Sequence, residues 1–357
     1  MAELMIGPTT ALLTVLEPGL TSVQDLGRAG GPRVGQMTGG ALDQYAAAMA
    51  NTLVGSDPEA PLLELVAMDF AAVVDVDLLV AVTGAEADVT VDGCARPQWE
   101  PIAWPAGTRL AIRGIRSGLR VYLAVHGALA TPRLLGSCAP DTVLGFGQPL
   151  VAGEVRTIAV DCPPLVQPWF DIPFFRLGAR PHPRTDLHEI DLTEGPDALE
   201  FGETATRLTE AEFVVGPQSN HIGLRLGRPD GGPLPRRAST AEILSRGVPI
   251  GAVEVPAGDE LLILHRGRGV TAGYPVLAVV TAVGLSRLGQ ARPGDRVRFR
   301  RVSRAAAVAA HRCQRAHLAD VRARVAVAFA GVGIPLHVTT YTPLTSAPSV
   351  PELKESA

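Results

Sequence analysis

Short aliphatic runs punctuated by Gly and Pro dominate the chain. They are Ala72–Val76, Leu78–Val82, Leu119–Val125, Glu212–Val215, Leu261–Leu264, Val276–Val283 and Arg296–Arg300. Strand-length runs bounded by turn residues predict an all-β sandwich or barrel. Two stretches carry a helical pattern instead. Ala41–Val54 is apolar and Ala-rich, with Gly55 in a C-cap position. Ser303–Ala330 opens on an N-capping serine, is rich in Ala and Arg, and meets Gly331.

The pattern breaks at Asp161–Pro183, where six prolines fall within 23 residues. Proline lacks the N–H that a central strand needs, so this stretch reads as a linker or crossover. The flanking halves share short similarities in the same order. Gly107–Arg113 resembles Gly294–Arg300, Pro18–Arg28 resembles Pro217–Arg225, and Leu63-Glu64-Leu65 resembles Glu242-Ile243-Leu244. An ancient duplication follows. The expected architecture is mainly β: two related barrel-like domains at 11–165 and 186–302. A Pro-rich crossover at 166–185 joins them, and a helix at 303–330 and a tail at 331–357 follow.

Composition narrows the chemistry. At 357 residues the chain has room for about two domains. Aromatics are 4% against 46% hydrophobic residues, so the cores must be built of Val, Leu, Ile and Ala. A net charge of −4 excludes a generally basic nucleic-acid binder. Of 32 basic residues, Lys354 is the single lysine. That removes a P-loop lysine, a core Schiff-base lysine and a biotinylated core lysine. Any anion held by a cation here is held by arginine, whose planar fork suits bidentate contact.

Cys94, Cys138, Cys162 and Cys313 form no C-x-x-C pair, and reduced thiols in a cytoplasmic protein are the expectation. Met1–Thr10 lacks the basic and apolar pattern of a secretory leader. No apolar stretch approaches the ~20 residues of a membrane span.

Four motifs concentrate polar residues. Pro18-Gly-Leu-Thr-Ser-Val-Gln-Asp-Leu-Gly-Arg28 offers Gln24, Asp25 as a base or orienting acid, and Arg28 as an anion ligand; the alternative is a turn with a surface ion pair. Thr38-Gly39-Gly40-Ala-Leu-Asp43 leads into the first helix, where backbone N–H groups favour anions and Asp43 caps. Pro217-Gln218-Ser219-Asn220-His221-Ile-Gly-Leu-Arg225 reads as a binding loop without a nucleophile elbow. His265-Arg-Gly-Arg268-Gly-Val-Thr271-Ala-Gly273-Tyr274-Pro275 lets backbone and guanidinium both approach an anion; a flexible hairpin is the alternative. His126, His182, His188, His311, His317 and His337 show no metal-ligand spacing, so no metal is expected. The basic stripe along Arg304–Arg324 reads first as a solvated face, and next as a partner or membrane surface.

Taken together, these motifs resemble the allophanate hydrolase subunit 2 family, also called KipA-like or biotin-dependent carboxyltransferase-like, which includes the C-type subunit of 5-oxoprolinase. The resemblance runs from about Thr14 to Val302. It rests on Pro18–Arg28, Gly39–Asp43, Ala50–Gly55, Tyr122–Val125, Pro217–Arg225, Gly251–Pro256, Thr271–Pro275 and Pro293–Phe299. It implies cyclophilin-like β-barrel domains and a subunit 1 (KipI-like) partner, with a LamB/YcsF-like third subunit where 5-oxoproline is opened using ATP. It also implies a hetero-oligomeric, cytoplasmic, nucleotide-binding hydrolase. Its site would gather Gln24, Asp25, Arg28, Gly39, Gly40, Gln218, Ser219, Asn220, Arg225, Arg268, Thr271, Gly273 and Tyr274, with Asp25 and Arg28 catalytic.

Three departures bear on activity. The family reads Asp-Arg-Gln-Thr-Thr-Gly-Gly-Tyr-Pro where this chain has Gly267–Pro275. It reads Ser-Asp-Arg-Met-Gly at Ser219–Gly223, and Ser-Glu-Gly at Ser245–Gly247. Acids are therefore absent at Gly267, Asn220 and Arg246. These losses leave two alternatives open: a non-catalytic KipA-like regulator of a KipI-like protein, and a carboxyltransferase component using biotin carried on another chain. The helix after about Ala305 extends beyond the family's usual end.

Overall fold

The computed structural model describes residues 9–160, 176–183, 185–239, 241–258 and 260–336. Most of the expected crossover and of the expected tail, together with Cys162 and His337, lie outside the described residues.

The N-terminal half is a ten-stranded sheet. Its strands are β1 (Thr9–Glu17), β2 (Thr21–Gln24), β3 (Leu62–Val66), β4 (Phe70–Val74), β5 (Leu78–Val91), β6 (Cys94–Arg96), β7 (Pro101–Trp104), β8 (Arg109–Val125), β9 (Ala128–Leu129) and β10 (Val155–Val160). The frame is the long antiparallel ribbon of β5 and β8, 14 and 17 residues. The first half of β8 pairs with β4 and its second half with β3, while β5 runs along its other edge. Register shifts in β5 at Gly84–Glu86 and Glu86–Asp88 bend the ribbon. Because β8 changes neighbour midway, the strands follow a branched path and the sheet curls into a half-barrel that stays open.

The C-terminal half does close. β11 (Leu187–Glu194), β12 (Glu212–Val215), β13 (Gly223–Gly227), β15 (Ala252–Glu254), β16 (Leu261–Leu264), β18 (Val276–Val280) and β19 (Arg296–Arg301) form a seven-stranded barrel. A parallel pairing of β11 with β19 completes the ring. Outside it, β14 (Arg246–Gly247) and β17 (Thr271–Ala272) make a small flap. The mainly β expectation holds, with one closed barrel and one curled sheet. Glu242–Leu244, matched in sequence to the strand residues Leu63–Leu65, lies outside any strand.

Helix α1 (Gln44–Leu53) begins later than its apolar pattern, because Asp43 caps it by accepting from the Ala46 N–H at 3.0 Å. A short α2 (Arg207–Glu210) precedes β12. The run Val276–Val283 splits: Thr281 accepts from the Gly284 N–H and starts α3 (Ala282–Leu288). Apolar content alone does not separate a buried strand from a buried helix. Ser303 caps α4 (Arg304–Ala330) as expected, accepting from the Ala306 N–H at 3.1 Å. No described helix is long and apolar enough to cross a membrane.

Strand alternation supplies the cores. Val121, Leu123 and Val125 of β8 face the inside of the curled sheet. Tyr122 and Ala124, between them, face a second cluster with α1 and the end of α4. The barrel has its own interior, with Phe213, Leu226, Ile263 and Phe299 fully or almost fully buried. Phe329 anchors α4 against Gly55 and His126, its ring within 2.7 Å of where a Gly55 Cβ would stand. Phe329→Ala should cost about 3–5 kcal/mol, the usual range for emptying a fully buried phenylalanine site. Urea unfolding measures it, and a loss below about 1 kcal/mol would mean α4 is not seated by this ring.

Candidate functional site

The two halves meet at a buried polar node. Asp43, fully buried, accepts at Oδ1 from the Ala46 N–H and pairs there with His182 Nε2 at 3.1 Å. Its Oδ2 accepts from Gln290 Nε2 at 2.8 Å. Gln290 Oε1 in turn accepts from the Leu119 and Arg120 N–H groups of β8, at 3.1 and 2.9 Å. On the N-terminal side the Tyr122 hydroxyl donates to Glu64 at 2.8 Å and accepts from the Asp43 N–H at 3.0 Å. Burial raises the Glu64 pKa, opposed by Arg120 nearby. A buried charge is tolerable only when its lone pairs are used, and those of Asp43 are.

Beside this node the sequence motifs converge. Arg266 donates to the carbonyls of Gly39 (2.8 Å) and Leu26 (2.6 Å), and its own carbonyl accepts from the Gly39 N–H (2.9 Å). This clamps the fourth motif onto the first two. Asp25 accepts from the Gly27 N–H and Ser137 hydroxyl at Oδ1 and from the Cys138 N–H at Oδ2. Arg28 donates to the carbonyls of Leu134 and Ala139. Both side chains therefore hold the 134–146 loop, and Arg28 Nη1 remains buried without a partner. Gly40 permits this packing: a Cβ there would lie 2.6 Å from the Gly27 nitrogen. Burial beside Asp25 pushes the Cys138 thiol well up, so it is no nucleophile.

Arg268 is buried and donates twice to the Val248 carbonyl, at 3.1 and 2.7 Å, which secures the flap. Its Nη1 is also buried and unpaired, as is Gln24 Oε1. Other expected residues lie at the rim. Gln218, Asn220, Thr271 and Tyr274 are exposed, and Gly273 is half-buried. Ser219 accepts from the Arg225 N–H, and Asn220 accepts from the Ile222 N–H within its own turn. Arg225 points to Glu260 at 2.9 Å. Among the described residues no group of three or more His, Cys, Asp or Glu is arranged to hold a metal.

Two departures from the family pattern touch one another. A Cβ on Gly267 would stand 2.3 Å from His221 Cδ2, so the imidazole fills the place of a side chain at 267. The family's Arg and Asp at these positions are thus replaced by a ring packed on a glycine. The third departure has its own partner, since Arg246 pairs with the buried Asp197.

Glu254 lies in the Gly251–Pro256 stretch but is not among the expected site residues. It is 1% exposed, its Oε1 lacks a partner, and burial raises its pKa to about 7. A separate cleft of about 930 Å³ opens between the halves, lined by Trp99, Glu100, Arg176, His182, Arg287 and Gln290 among others. None of the expected site residues lines it. Its arginines Arg96, Arg176 and Arg287 are matched in number by Glu86, Glu100 and Glu189.

This arrangement of a curled sheet clamped to a closed barrel has known counterparts. Residues 34–301 match the carboxyltransferase domain, subdomain A and B, and the chain belongs to that family. It is 30% identical over 300 residues to the C-type subunit of 5-oxoprolinase from Escherichia coli, covering 81% of this chain and 90% of that protein. The solved structure of TTHA0988 is 33% identical with a TM-score of 0.69, covering 84% of this chain and 57% of that one. Urea amidolyase of K. lactis superposes with a TM-score of 0.76 at 25% identity, covering 89% of this chain. The chain spans only 20% of that enzyme's length.

Gly267→Asp should destabilise by about 1–3 kcal/mol through overpacking on His221. Adding His221→Arg should recover part of that loss in a double-mutant cycle; a double variant no more stable than Gly267→Asp alone would refute the coupling. For Glu254, the folded pKa is raised from 4.5 to about 7. Its contribution is therefore complete below pH 4.5 and is lost as pH rises through 7. Glu254→Gln should gain stability over wild type between pH 4.5 and 8, approaching about 3 kcal/mol. Urea midpoints at the two pH values test this, and an equal difference at both would refute it.

Proposed function

We propose that this chain is the C-type subunit of an ATP-dependent amide-hydrolysing complex acting on 5-oxoproline, with a subunit 1 (KipI-like) partner and a LamB/YcsF-like third subunit. The observation that carries the reading is the 30% identity to the E. coli 5-oxoprolinase component over 90% of its length. The working assembly is a cytoplasmic hetero-oligomer. Both halves are cyclophilin-like domains from one duplication. In support, Gly107 and Gly294 each hold a positive φ, 72° and 94°, shortly before β8 and β19.

The site on this chain is the cluster beneath the flap. A cyclic amide presents an oxygen that gathers negative charge on activation and an N–H that needs an acceptor. Arg28 and Arg268 donate to the anionic group, and the unpaired buried Nη1 of each supports this. Gln24 Oε1, buried and unbonded, accepts the amide N–H. Asp25 positions Arg28 through the 134–146 loop. Ser219 and Arg225 set the rim strand, while Gln218, Asn220, Thr271 and Tyr274 close over the substrate. Gly39, Gly40 and Gly273 let the backbone come close. ATP supplies phosphoryl activation of the amide oxygen, and the arginine donors fit a phosphate without any core lysine.

The K. lactis likeness favours a second reading, a carboxyltransferase component. Its biotin would arrive on another chain, because Lys354 is the single lysine here. Co-expression with the partner proteins and an assay of ADP release distinguish the two. The first reading expects release that depends on 5-oxoproline, and Arg268→Ala should lower kcat/KM about 100-fold while leaving capture of the partners intact. Turnover that requires a biotinylated carrier would select the second reading. Partner capture without turnover in any combination of the proteins would sink both in favour of a regulator.

A further inference from the structure

The inward stripe of α4 changes chemistry along its length. The least exposed positions recur at Ala307, His311, Gln314, Leu318, Val321, Val325 and Phe329, the spacing of one helix face. Val321, Val325 and Phe329 are fully buried. The upper half carries Ala307, His311 and Gln314 where a seated helix would carry large apolar groups. There the helix stands off the barrel and leaves a cavity of about 560 Å³ above Thr193, Thr281 and Ala282.

The charge in this gap has one sign. Arg304, Arg312 and Arg315 line it, together with His311, and no Asp or Glu does. None of the three arginines has an acidic partner among the described residues. Asp320 is the single acid of α4. His311 Nδ1 is buried with no hydrogen-bond partner, although its residue borders the open cavity. Arg312, His311 and Arg315 lie within about one turn, while Arg304 is about 12 Å away along the axis. Between these ends, Ala307, Val308 and Ala282 give an apolar floor.

We propose that this groove binds a small organic phosphate. The phosphate sits among Arg312, Arg315 and His311, and the apolar body lies over Ala307, Val308 and Ala282 toward Arg304. Arginine forks suit phosphate oxygens, and the volume falls in the range of small-ligand sites. The groove lies apart from the cluster around Arg28 and Arg268. Its helical wall begins after the family match ends at residue 301, while Thr193, Thr281 and Ala282 lie within that match.

Calorimetric titration of the full chain with 1-naphthyl phosphate and with inorganic phosphate tests the assignment. The aryl phosphate should bind at least about tenfold more tightly than phosphate, and more weakly as salt rises. The exposed double substitution Arg312→Glu/Arg315→Glu should weaken it at least about tenfold with an unchanged melting temperature. Ala307→Leu, which fills the floor, should abolish the preference for the aryl compound while phosphate binding persists. Loss of aryl phosphate binding in Arg268→Ala, with binding retained in the double substitution, would place the ligand in the Arg28 and Arg268 cluster and overturn the proposal. Equal affinity for the two compounds overturns the proposal, as does aryl phosphate binding that survives the double substitution. Tighter binding of an acidic peptide than of aryl phosphate also overturns it, and assigns the groove to a protein partner.

Discussion

The carboxylate of Asp43 is the constraint around which the two halves are arranged. A fully buried charge is stable only if its oxygens are used, and no single element supplies enough donors. Helix α1 supplies the Ala46 N–H, the segment before the barrel supplies His182, and the turn after α3 supplies Gln290. Gln290 is held in turn by two backbone N–H groups of β8. The node therefore fixes the entry of α1, the passage of the chain between halves and the approach of the barrel to the curled sheet. The same contact demands a glycine at 289, where a Cβ would lie 2.6 Å from the Leu42 carbonyl carbon. Removing Gln290 would leave both the carboxylate and two strand N–H groups short of a partner, which is why such networks are sensitive to single deletions.

With the halves fixed by this node, the motif loops become a clamp. Arg266 bonds to main-chain carbonyls of Leu26 and Gly39, so its role is independent of the side chains there. Arg28 and Arg268 each keep one buried guanidinium nitrogen without a hydrogen-bond partner. Cations concentrated at a domain junction are costly unless an anion or a dipole offsets them. Backbone carbonyls do so for part of each guanidinium, and the unpaired Nη1 atoms are what the junction leaves available.

Much of this was legible in the chain. Strand-length runs, the Asp43 and Ser303 caps and the polar loops all depend on local rules of spacing and capping, and each is where local physics puts it. What was not legible depends on contacts distant in sequence. Nothing around Gln290 or Arg266 marks them as junction residues, because their partners lie more than 200 positions away in three of these bonds. The apolar run through Val276–Val283 hid α3, since one threonine hydroxyl decides where strand yields to helix. The curling of the first sheet without closure arises from β8 changing partners midway, which no single-strand pattern encodes.

The departures from the family pattern change meaning once their neighbours are known. Read along the chain, an absent acid at Gly267 and an absent arginine at His221 look like two independent losses. In space they are one event, because the imidazole occupies the volume that any side chain at 267 would need. Arg246 likewise does not sit as an unopposed reversed charge, since Asp197 accepts from it and also from the Val276 N–H. Gly267 and His221 therefore share one volume, and Arg246 has a carboxylate partner.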